Sequence, residues 1–272
     1  LNAAAKREKP DAVIIGEVWE DASNKIAYSE RRRYFQGGEL DSVMNYPLRD
    51  AILAFLNGGT AEHFAEQMET LRENYPRDVF YNLMNIIGTH DTARALTILG
   101  VSDEEWHMDR DGRAHYTLPP ERLARARSRL KLAAVMQFTM PGSPTIYYAD
   151  EAGRQGFEDP FNRRTYPWGA EDRDMLAFYR RLCELRAESE TLTRGELRFL
   201  PSSSALLAYE RSGTSRIVVL VNRGRNAECA HIDALFAVDM ISTHAFEEHD
   251  EHGVVVTVPP ETAYILRCFG TP

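Results

Sequence analysis

The sequence contains no long apolar run. Its longest stretches of consecutive apolar residues are only a few residues in length, far short of the ~20 that a membrane-spanning helix requires. Residues 1–10 have neither an apolar core nor a small-residue cleavage site, so we expect no secretory signal there. With 43% apolar and 27% charged residues, the 272-residue chain has the composition of a folded protein, which excludes disordered and collagen-like classes.

Cysteine is scarce, and the spacings of metal sites are missing. Cys183, Cys229 and Cys268 are odd in number, lie far apart and form no Cys-x-x-Cys pair, which argues against a disulfide framework and a cysteine-based zinc site. This usage favours a reducing compartment, and we therefore expect a cytoplasmic location. Secretion stays open as an alternative, because the true N-terminus is not seen. No Gly-rich phosphate loop and no order typical of a Ser/His/Asp hydrolase can be identified.

Clustered positive charge is lacking as well. The chain has 32 basic and 41 acidic residues, a formal net charge of -9, and its only tight basic run is Arg31, Arg32 and Arg33. Recognition of phosphates requires a basic face, so we expect no nucleic-acid partner and interpret this run as a solvated loop.

Strand and helix patterns alternate along the chain up to about residue 189. Short apolar runs predict strands, and apolar positions spaced three and four apart predict helices. This order is typical of a parallel sheet with helical crossovers. We predict strands at 11–17, 40–45, 80–87 and 145–148, helices from Pro47, from Thr60, at 121–139 and at 172–188, and a loop at 101–118.

The pattern of apolar residues changes after residue 189. Short β-rich runs, separated by Pro, Ser, Gly and Asn, predict a small antiparallel β domain. We therefore divide the chain into an α/β domain at 1–189 and an all-β domain at 190–272, with predicted strands at 197–200, 205–209, 217–221, 254–258 and 263–268.

Polar residues follow three of the predicted parallel strands, where functional groups of α/β folds collect. They are Glu17, the pair His90 and Asp91, and the pair Asp150 and Glu151. A carboxylate at the end of an apolar strand, beside an indole such as Trp19, is expected to have its pKa raised by desolvation, as a general acid requires. From the residues alone, Glu17 could equally cap the next helix, and the other pairs could be local turn contacts.

Three segments resemble signatures of the α-amylase superfamily, glycoside hydrolase family 13. Residues 16–19 read Gly-Glu-Val-Trp, residues 88–94 read Gly-Thr-His-Asp-Thr-Ala-Arg, and residues 141–153 read Pro-Gly-Ser-Pro-Thr-Ile-Tyr-Tyr-Ala-Asp-Glu-Ala-Gly. The run at 155–169, with its Asp-Pro-Phe-Asn-Arg-Arg, is similar to the neopullulanase, cyclomaltodextrinase and maltogenic amylase branch. The resemblance covers nearly the whole chain, with the segments in the family's order.

The resemblance implies a fold and a set of roles. The fold is the C-terminal half, strands five to eight, of a TIM (β/α)8 barrel, followed by a small antiparallel β-sandwich domain. Glu17 matches the general acid/base, and Asp91 matches the carboxylate that binds sugar hydroxyls and stabilises the transition state. Further expected substrate contacts are His90, Arg94, the stacking walls Trp19 and Tyr46, and the pair Asp159 and Arg163. This last pair could also be an ordinary ion pair, and both aromatic residues could belong to the core.

The nucleophilic Asp of a retaining glycosidase is not identified in the sequence. In the family it lies in an Arg-x-Asp segment one strand before the acid/base, and Asp11 lies at the wrong end of the Glu17 strand to replace it. We expect the isolated chain to be inactive and the intact protein to hydrolyse α-1,4 glucosidic bonds of an oligosaccharide or cyclodextrin, with α-1,6 specificity left open. The missing N-terminal barrel half is then a required partner, and exposed strand edges predict association of copies.

A second hypothesis is a non-catalytic, amylase-like glucan-binding or assembly partner. Hydrolysis and transglycosylation are not distinguished by the residues. No cofactor is expected; calcium occurs in this superfamily, but no ligand set is visible in the sequence. His249 and His252 could form a metal pair, although a solvated loop is the simpler interpretation.

Overall fold

Helices dominate the first part of the chain and strands the second in this computed structural model, which describes residues 1–27, 29–36 and 38–270. The helices are α1 (Asn2–Glu8), α2 (Tyr46–Leu56), α3 (Ala61–Asn74), α4 (Arg77–Phe80), α5 (Ala95–Ile98), α6 (Asp103–Trp106), α7 (Arg110–His115), α8 (Pro120–Thr139), α9 (Arg173–Glu188) and α10 (Glu190–Arg194). The early strands are β1 (Ile15–Gly16), β2 (Ile26–Ala27), β3 (Glu30–Arg31), β4 (Ser42–Val43), β5 (Met84–Asn85) and β6 (Ser143–Pro144). The later strands are β7 (Glu196–Phe199), β8 (Leu206–Ser212), β9 (Arg216–Asn222), β10 (Glu228–Ile232), β11 (Phe236–Asp239), β12 (Ala245–Phe246), β13 (His249–Asp250), β14 (Gly253–Val258) and β15 (Thr262–Phe269).

Four of the early strands are parallel neighbours. β1 pairs with β4, β5 pairs with β6, and a parallel bridge between Met44 and Met84 joins the two pairs. The predicted parallel pairing is therefore confirmed, and the order β1, β4, β5, β6 follows the chain. All four carboxyl ends meet at one edge, which places the segments that follow them side by side.

The strands are much shorter than predicted. Helix α4 occupies the start of the expected strand at 80–87, because the chain turns into a helix directly after Pro76. The expected strand at 145–148 is also wrong: pairing stops at Pro144, and the chain enters a turn in which Ala149 has a φ of 68°.

The predicted loop at 101–118 contains two short helices. Ser102 begins α6 with a capping box: its hydroxyl accepts from the Glu105 amide, and the Glu105 carboxylate accepts from the Ser102 amide at 2.8 Å. Asp109 caps α7 through a bond from the Gly112 amide at 2.8 Å. These two helices begin at capping residues and have no apolar periodicity. The sequence interpretation relied on that periodicity and therefore predicted a loop.

The longer helices agree with their predicted positions. Asn45, Thr60 and Asp172 cap α2, α3 and α9, each accepting a hydrogen bond from the backbone three residues later. α8 buries every residue from Leu132 to Thr139, and its start at Pro120 fits the preference of proline for the first turn. These helices pack around the parallel strands and share one apolar cluster with them.

The later strands form two antiparallel sheets. The larger has the order β12-β11-β15-β9-β8-β7, and the smaller has the order β10-β14-β13. Successive side chains of β8 divide between two clusters: Leu207 and Tyr209 pack toward the helices, while Leu206 and Ala208 pack toward the smaller sheet. This period of two is the one expected for a sheet with both faces covered.

The five predicted strands of this region are found with shifted ends, and β10 to β13 were missed. These four are short or rich in polar residues, so their alternation was not recognised. Residues 28, 37, 271 and 272 of the two predicted domains lie outside the described residues.

Candidate active site

The carboxyl ends of the four parallel strands bring together most of the predicted site residues. Glu17 follows β1, Tyr46 begins the helix after β4, and residues 89–91 follow β5. Asp150 follows β6 across a short turn. Residues far apart in the chain are therefore neighbours at one edge of the strand array.

Glu17 and Trp19 lie on the same side of the extended chain that leaves β1. The Trp19 Nε1 donates a hydrogen bond to Glu17 Oε1 at 3.1 Å. Both side chains are exposed, and Trp19 retains 47% of its accessible surface. The expected desolvation of Glu17 is therefore wrong for the described residues, although the expected neighbouring indole is present.

Tyr46 forms the floor beneath Trp19. The two rings are stacked with centroids 4.2 Å apart and planes 13° from parallel. Tyr46 is fully buried, so its prediction as a direct stacking wall for a sugar is wrong. Trp19 covers it, and only Trp19 offers an exposed ring at this position.

The pKa of the Tyr46 hydroxyl is affected by both predicted catalytic carboxylates. Burial raises the pKa of Tyr46, and the negative charges of Glu17 and Asp91 raise it further. A hydrogen bond with Thr89, whose hydroxyl lies 3.5 Å away, acts in the opposite direction, as does Arg49. Glu17 and Asp91 therefore lie close enough to influence one phenol.

Asp91 lies between the side chains of a histidine and an arginine. His90 Nε2 lies 3.2 Å from Asp91 Oδ2, and Arg163 Nη2 lies 3.5 Å from Asp91 Oδ1. The same Arg163 binds Asp159 through Nε at 2.6 Å. Asp159 and Arg163 thus form the ion pair that the simpler interpretation predicted, and Arg163 also contacts Asp91. Their contact with a sugar stays a prediction. All four side chains are partly or largely exposed.

Asn162 supports the Asp91 loop and was missed in the sequence. Its side chain is fully buried, and its Nδ2 donates to the carbonyls of His90 and Thr92 at 2.8 Å each. A third carbonyl, that of Thr89, lies 3.4 Å away. The amide sits between the predicted contacts Asp159 and Arg163, but no periodic pattern distinguishes a buried Asn from an exposed one.

Arg94 does not face the site, contrary to its prediction as a substrate contact. Its side chain is fully buried, and Nη1 donates to Asp150 Oδ1 at 2.7 Å. Its Nε donates to the Asn162 carbonyl at 2.9 Å, and its guanidinium lies 4.1 Å from the Tyr147 ring centroid. Arg94 therefore stabilises the strand ends from within.

Asp150 is buried with Arg94 and is not available to a ligand. Burial raises the pKa of Asp150 to about 6, and the Arg94 guanidinium opposes that shift. Gly88 gives Asp150 its space: a Cβ on Gly88 would lie 2.5 Å from Asp150 Oδ2. The tight fit explains why a glycine precedes Thr89.

Metal-binding geometry is not found among the described residues, where no group of three or more His, Cys, Asp or Glu side chains is arranged to hold an ion. His252 Nε2 lies 3.6 Å from the carboxylate of Glu251. His249 is exposed, as expected, but it belongs to strand β13, so the expected loop is wrong. Within residues 1–27, 29–36 and 38–270, no helix is long and apolar enough to span a membrane.

Comparison with known proteins identifies similar sequences and folds. The family "Alpha amylase, catalytic domain" matches residues 1–168. The amylopullulanase of Thermoanaerobacter thermohydrosulfuricus is 34% identical over 223 residues, covering 78% of this chain and 14% of that protein. The cyclomaltodextrinase of Geobacillus thermopakistaniensis is 32% identical over 231 residues, covering 82% of this chain and 34% of that protein. The matches thus span 14% and 34% of the lengths of these two relatives.

A solved structure shows the same fold. The α-amylase of Geobacillus thermoleovorans, determined with acarbose, superposes with a TM-score of 0.77 at 24% identity. The match covers 98% of this chain and 55% of that one. Both the helical region and the antiparallel sheets are therefore included in the likeness.

Proposed function

Since this chain belongs to the α-amylase family, we propose that it forms the C-terminal part of a retaining α-glucan hydrolase. Residues 1–189 supply strands five to eight of a (β/α)8 barrel, and residues 190–272 form a small β-sandwich domain. The parallel order β1, β4, β5, β6 and the two antiparallel sheets support this assignment. The observation that carries the proposal is a series of contacts at one strand edge: Glu17 accepts from Trp19, and Trp19 stacks on Tyr46. The Thr89 hydroxyl lies near the Tyr46 hydroxyl and accepts from the Asp91 amide.

Glu17 acts as general acid/base in this proposal. In a retaining glycosidase one carboxylic acid protonates the leaving oxygen, while a carboxylate ~5–5.5 Å away attacks the anomeric carbon. The same Glu17 then removes a proton from the incoming water. Trp19 positions the Glu17 carboxylate through its 3.1 Å hydrogen bond and presents an exposed ring to the sugar.

Asp91 binds ring hydroxyls rather than attacking the substrate. Its contacts with His90 and Arg163 fix the carboxylate, which therefore needs little reorganisation during the reaction. A bond from a sugar hydroxyl to Asp91 strengthens as oxocarbenium charge develops, and this lowers the barrier. The substrate class is an α-1,4-linked oligosaccharide or cyclodextrin, with Asp159 and Arg163 contacting the next glucose.

The nucleophile comes from protein outside residues 1–272 in this proposal. Among the described residues, β1 pairs only with β4, and β6 pairs only with β5, so each has an edge available to a further strand. Val13 and Ile15 beside the β1 edge are 66% and 45% exposed. The remaining barrel strands would cover these side chains, and the isolated chain is expected to leave maltotriose and cyclodextrins uncleaved.

The test uses the product of the complete reading frame that contains these residues. Glu17→Gln should lower kcat on maltotriose by about 10²–10⁴-fold, the usual contribution of general acid–base catalysis. Glu20→Gln is the matched control, because Glu20 is an exposed carboxylate that pairs with Lys25. Release of reducing ends measures the rate, and far-ultraviolet circular dichroism verifies the fold.

Near-normal turnover by Glu17→Gln would contradict the acid/base assignment. Turnover by the 272-residue chain alone would contradict the external nucleophile. Binding of maltotriose by the complete product without any hydrolysis would favour the glucan-binding or assembly partner instead.

A further inference from the structure

A groove runs along α2. It lies between α2 and the segment 98–106, and its volume is about 720 Å³. Leu53, Ile98 and Val101 give it an apolar wall, while Arg49, Asp103 and Trp106 contribute polar groups and an indole. Glu17 and Asp91 do not line it. Its volume is within the ~300–1,000 Å³ range of pockets for small organic ligands.

Arg49 brings an unsatisfied donor to this α2 groove. Its side chain is 10% exposed, and its Nη1 donates to Asp50 Oδ1 at 2.6 Å. Its Nε is buried and has no hydrogen-bond partner within the described part of the chain. A buried donor without an acceptor is unfavourable, so an acceptor oxygen supplied by a ligand would be stabilising.

The charges around Arg49 favour a neutral ligand. Asp50 already neutralises the guanidinium, and Asp103 adds a second, exposed carboxylate at the groove. An anion would be repelled by these carboxylates, and the Arg49 donor requires an oxygen rather than a cation. A hydroxyl group meets both demands, because it can accept from Arg49 and donate to Asp103.

Trp106 adds an aromatic surface at a fixed position. It packs on the buried Phe157 with ring centroids 5.5 Å apart, and it remains partly exposed. The Ser102 capping box begins its helix, and the Arg122–Glu105 ion pair anchors that helix to α8. A ring held in this way can contact the apolar face of a saccharide without being ordered at the time of binding.

We propose that the α2 groove is a second, non-catalytic binding site for a neutral oligosaccharide, with a sugar ring on Trp106 and a hydroxyl on Arg49. The choice of an α-glucan as ligand rests on the proposed function, but the geometry of the groove does not. Because neither Glu17 nor Asp91 lines the groove, a glucan held there does not occupy the proposed catalytic position.

The test is a titration of the ¹⁵N-labelled 272-residue chain with maltohexaose. The binding is monitored through the NMR resonances of the tryptophan indole N–H groups. The chain has three tryptophans, Trp19, Trp106 and Trp168, so replacing each with Phe assigns every signal. The Trp106 signal should shift saturably below about 10 mM ligand and should still do so in Trp19→Ala.

Arg49→Gln should raise the Kd reported by Trp106 about tenfold, and Asp103→Leu, at an exposed position, should raise it severalfold. Arg72→Gln is the matched control, because Arg72 is an exposed helical arginine paired with Glu69. If Arg49→Gln does not fold, Asp103→Leu decides the result.

A shift confined to Trp19 or Trp168, an unchanged Kd in these variants, or an equal response to citrate would overturn the proposed groove site. A response of Trp19 alone would leave the proposed active site standing. Loss of hydrolysis in Glu17→Gln together with no Trp106 response would reject the groove and retain the hydrolase.

Discussion

Replacing Asn162 should destabilise the segment that carries Asp91. The Asn162 Nδ2 has two hydrogens and donates to two carbonyls at 2.8 Å, those of His90 and Thr92. Asn162→Ala removes both donors in a fully buried position. Each carbonyl left without a partner costs about 1–3 kcal/mol, so the free energy of unfolding should fall by roughly 2–6 kcal/mol.

The corresponding change in melting temperature follows from the size of the chain. Unfolding entropy is about 2.1 cal/mol/K per residue, which gives ~0.6 kcal/mol/K for this length. A loss of about 4 kcal/mol therefore lowers the Tm by roughly 7 °C. Differential scanning calorimetry measures it, with Asn226→Ala as the matched control at an exposed asparagine.

A second substitution at the same position, Asn162→Asp, predicts the direction in which stability changes with pH. Burial should raise the folded-state pKa of the new carboxyl in Asn162→Asp above its unfolded value of ~3.9. Relative to the unsubstituted chain, the variant should therefore be least destabilised at low pH and become more destabilised as the pH rises through the folded-state pKa. Equal melting temperatures for Asn162→Ala and Asn226→Ala would refute the reasoning, as would a stability difference between Asn162→Asp and the unsubstituted chain that shrinks with rising pH.

Two further predictions concern the buried ion pair and the open strand edge. Burial raises the pKa of Asp150 to about 6, above its unfolded value, so the contribution of Asp150 to stability should decline as the pH rises from about 4 to 6. Asp150→Asn should remove that decline. It should also lower the free energy of unfolding by about 3–5 kcal/mol, because Arg94 is left buried without its carboxylate partner. Chemical denaturation of the unsubstituted chain and of Asp150→Asn across this pH range measures both effects. If the free energy of unfolding changes with pH equally in the two proteins, the predicted decline is contradicted. The exposed Ile15 at the β1 edge should promote association of the isolated chain, and Ile15→Lys should reduce it, as measured by light scattering; a monodisperse monomer before substitution contradicts this prediction.

Patterns that repeat along the chain were sufficient for the large elements. The apolar spacing in α8 and α9 and the caps Thr60 and Asp172 act locally, so their positions could be predicted closely. Strand ends depend on which neighbour supplies hydrogen bonds, and this information is absent from an apolar run. The run at 11–17 therefore predicted a strand whose paired part is only Ile15–Gly16.

The candidate site shows the same division between local and distant information. Glu17 and Asp91 could be located because each follows an apolar run in a recognisable segment. Their support could not, because Asn162 acts on backbone carbonyls about seventy residues away, and Arg94 pairs with Asp150 across 56 positions. Tyr46 and Arg94 were predicted as contacts and are buried, since a motif does not state which of its members face the ligand.

The exposure of Glu17 connects the open edge with the chemistry. A general acid in a glycosidase needs an environment that keeps it protonated near neutral pH, and desolvation is the usual means. The described residues provide Glu17 with an indole donor and an underlying buried phenol, but they leave the carboxylate in water. In the proposed hydrolase, the burial of this acid would come from the same surface that covers Val13 and Ile15. One event, completion of the strand array along β1, would bury both apolar side chains and the carboxylate, so assembly and catalytic competence are expected to appear together.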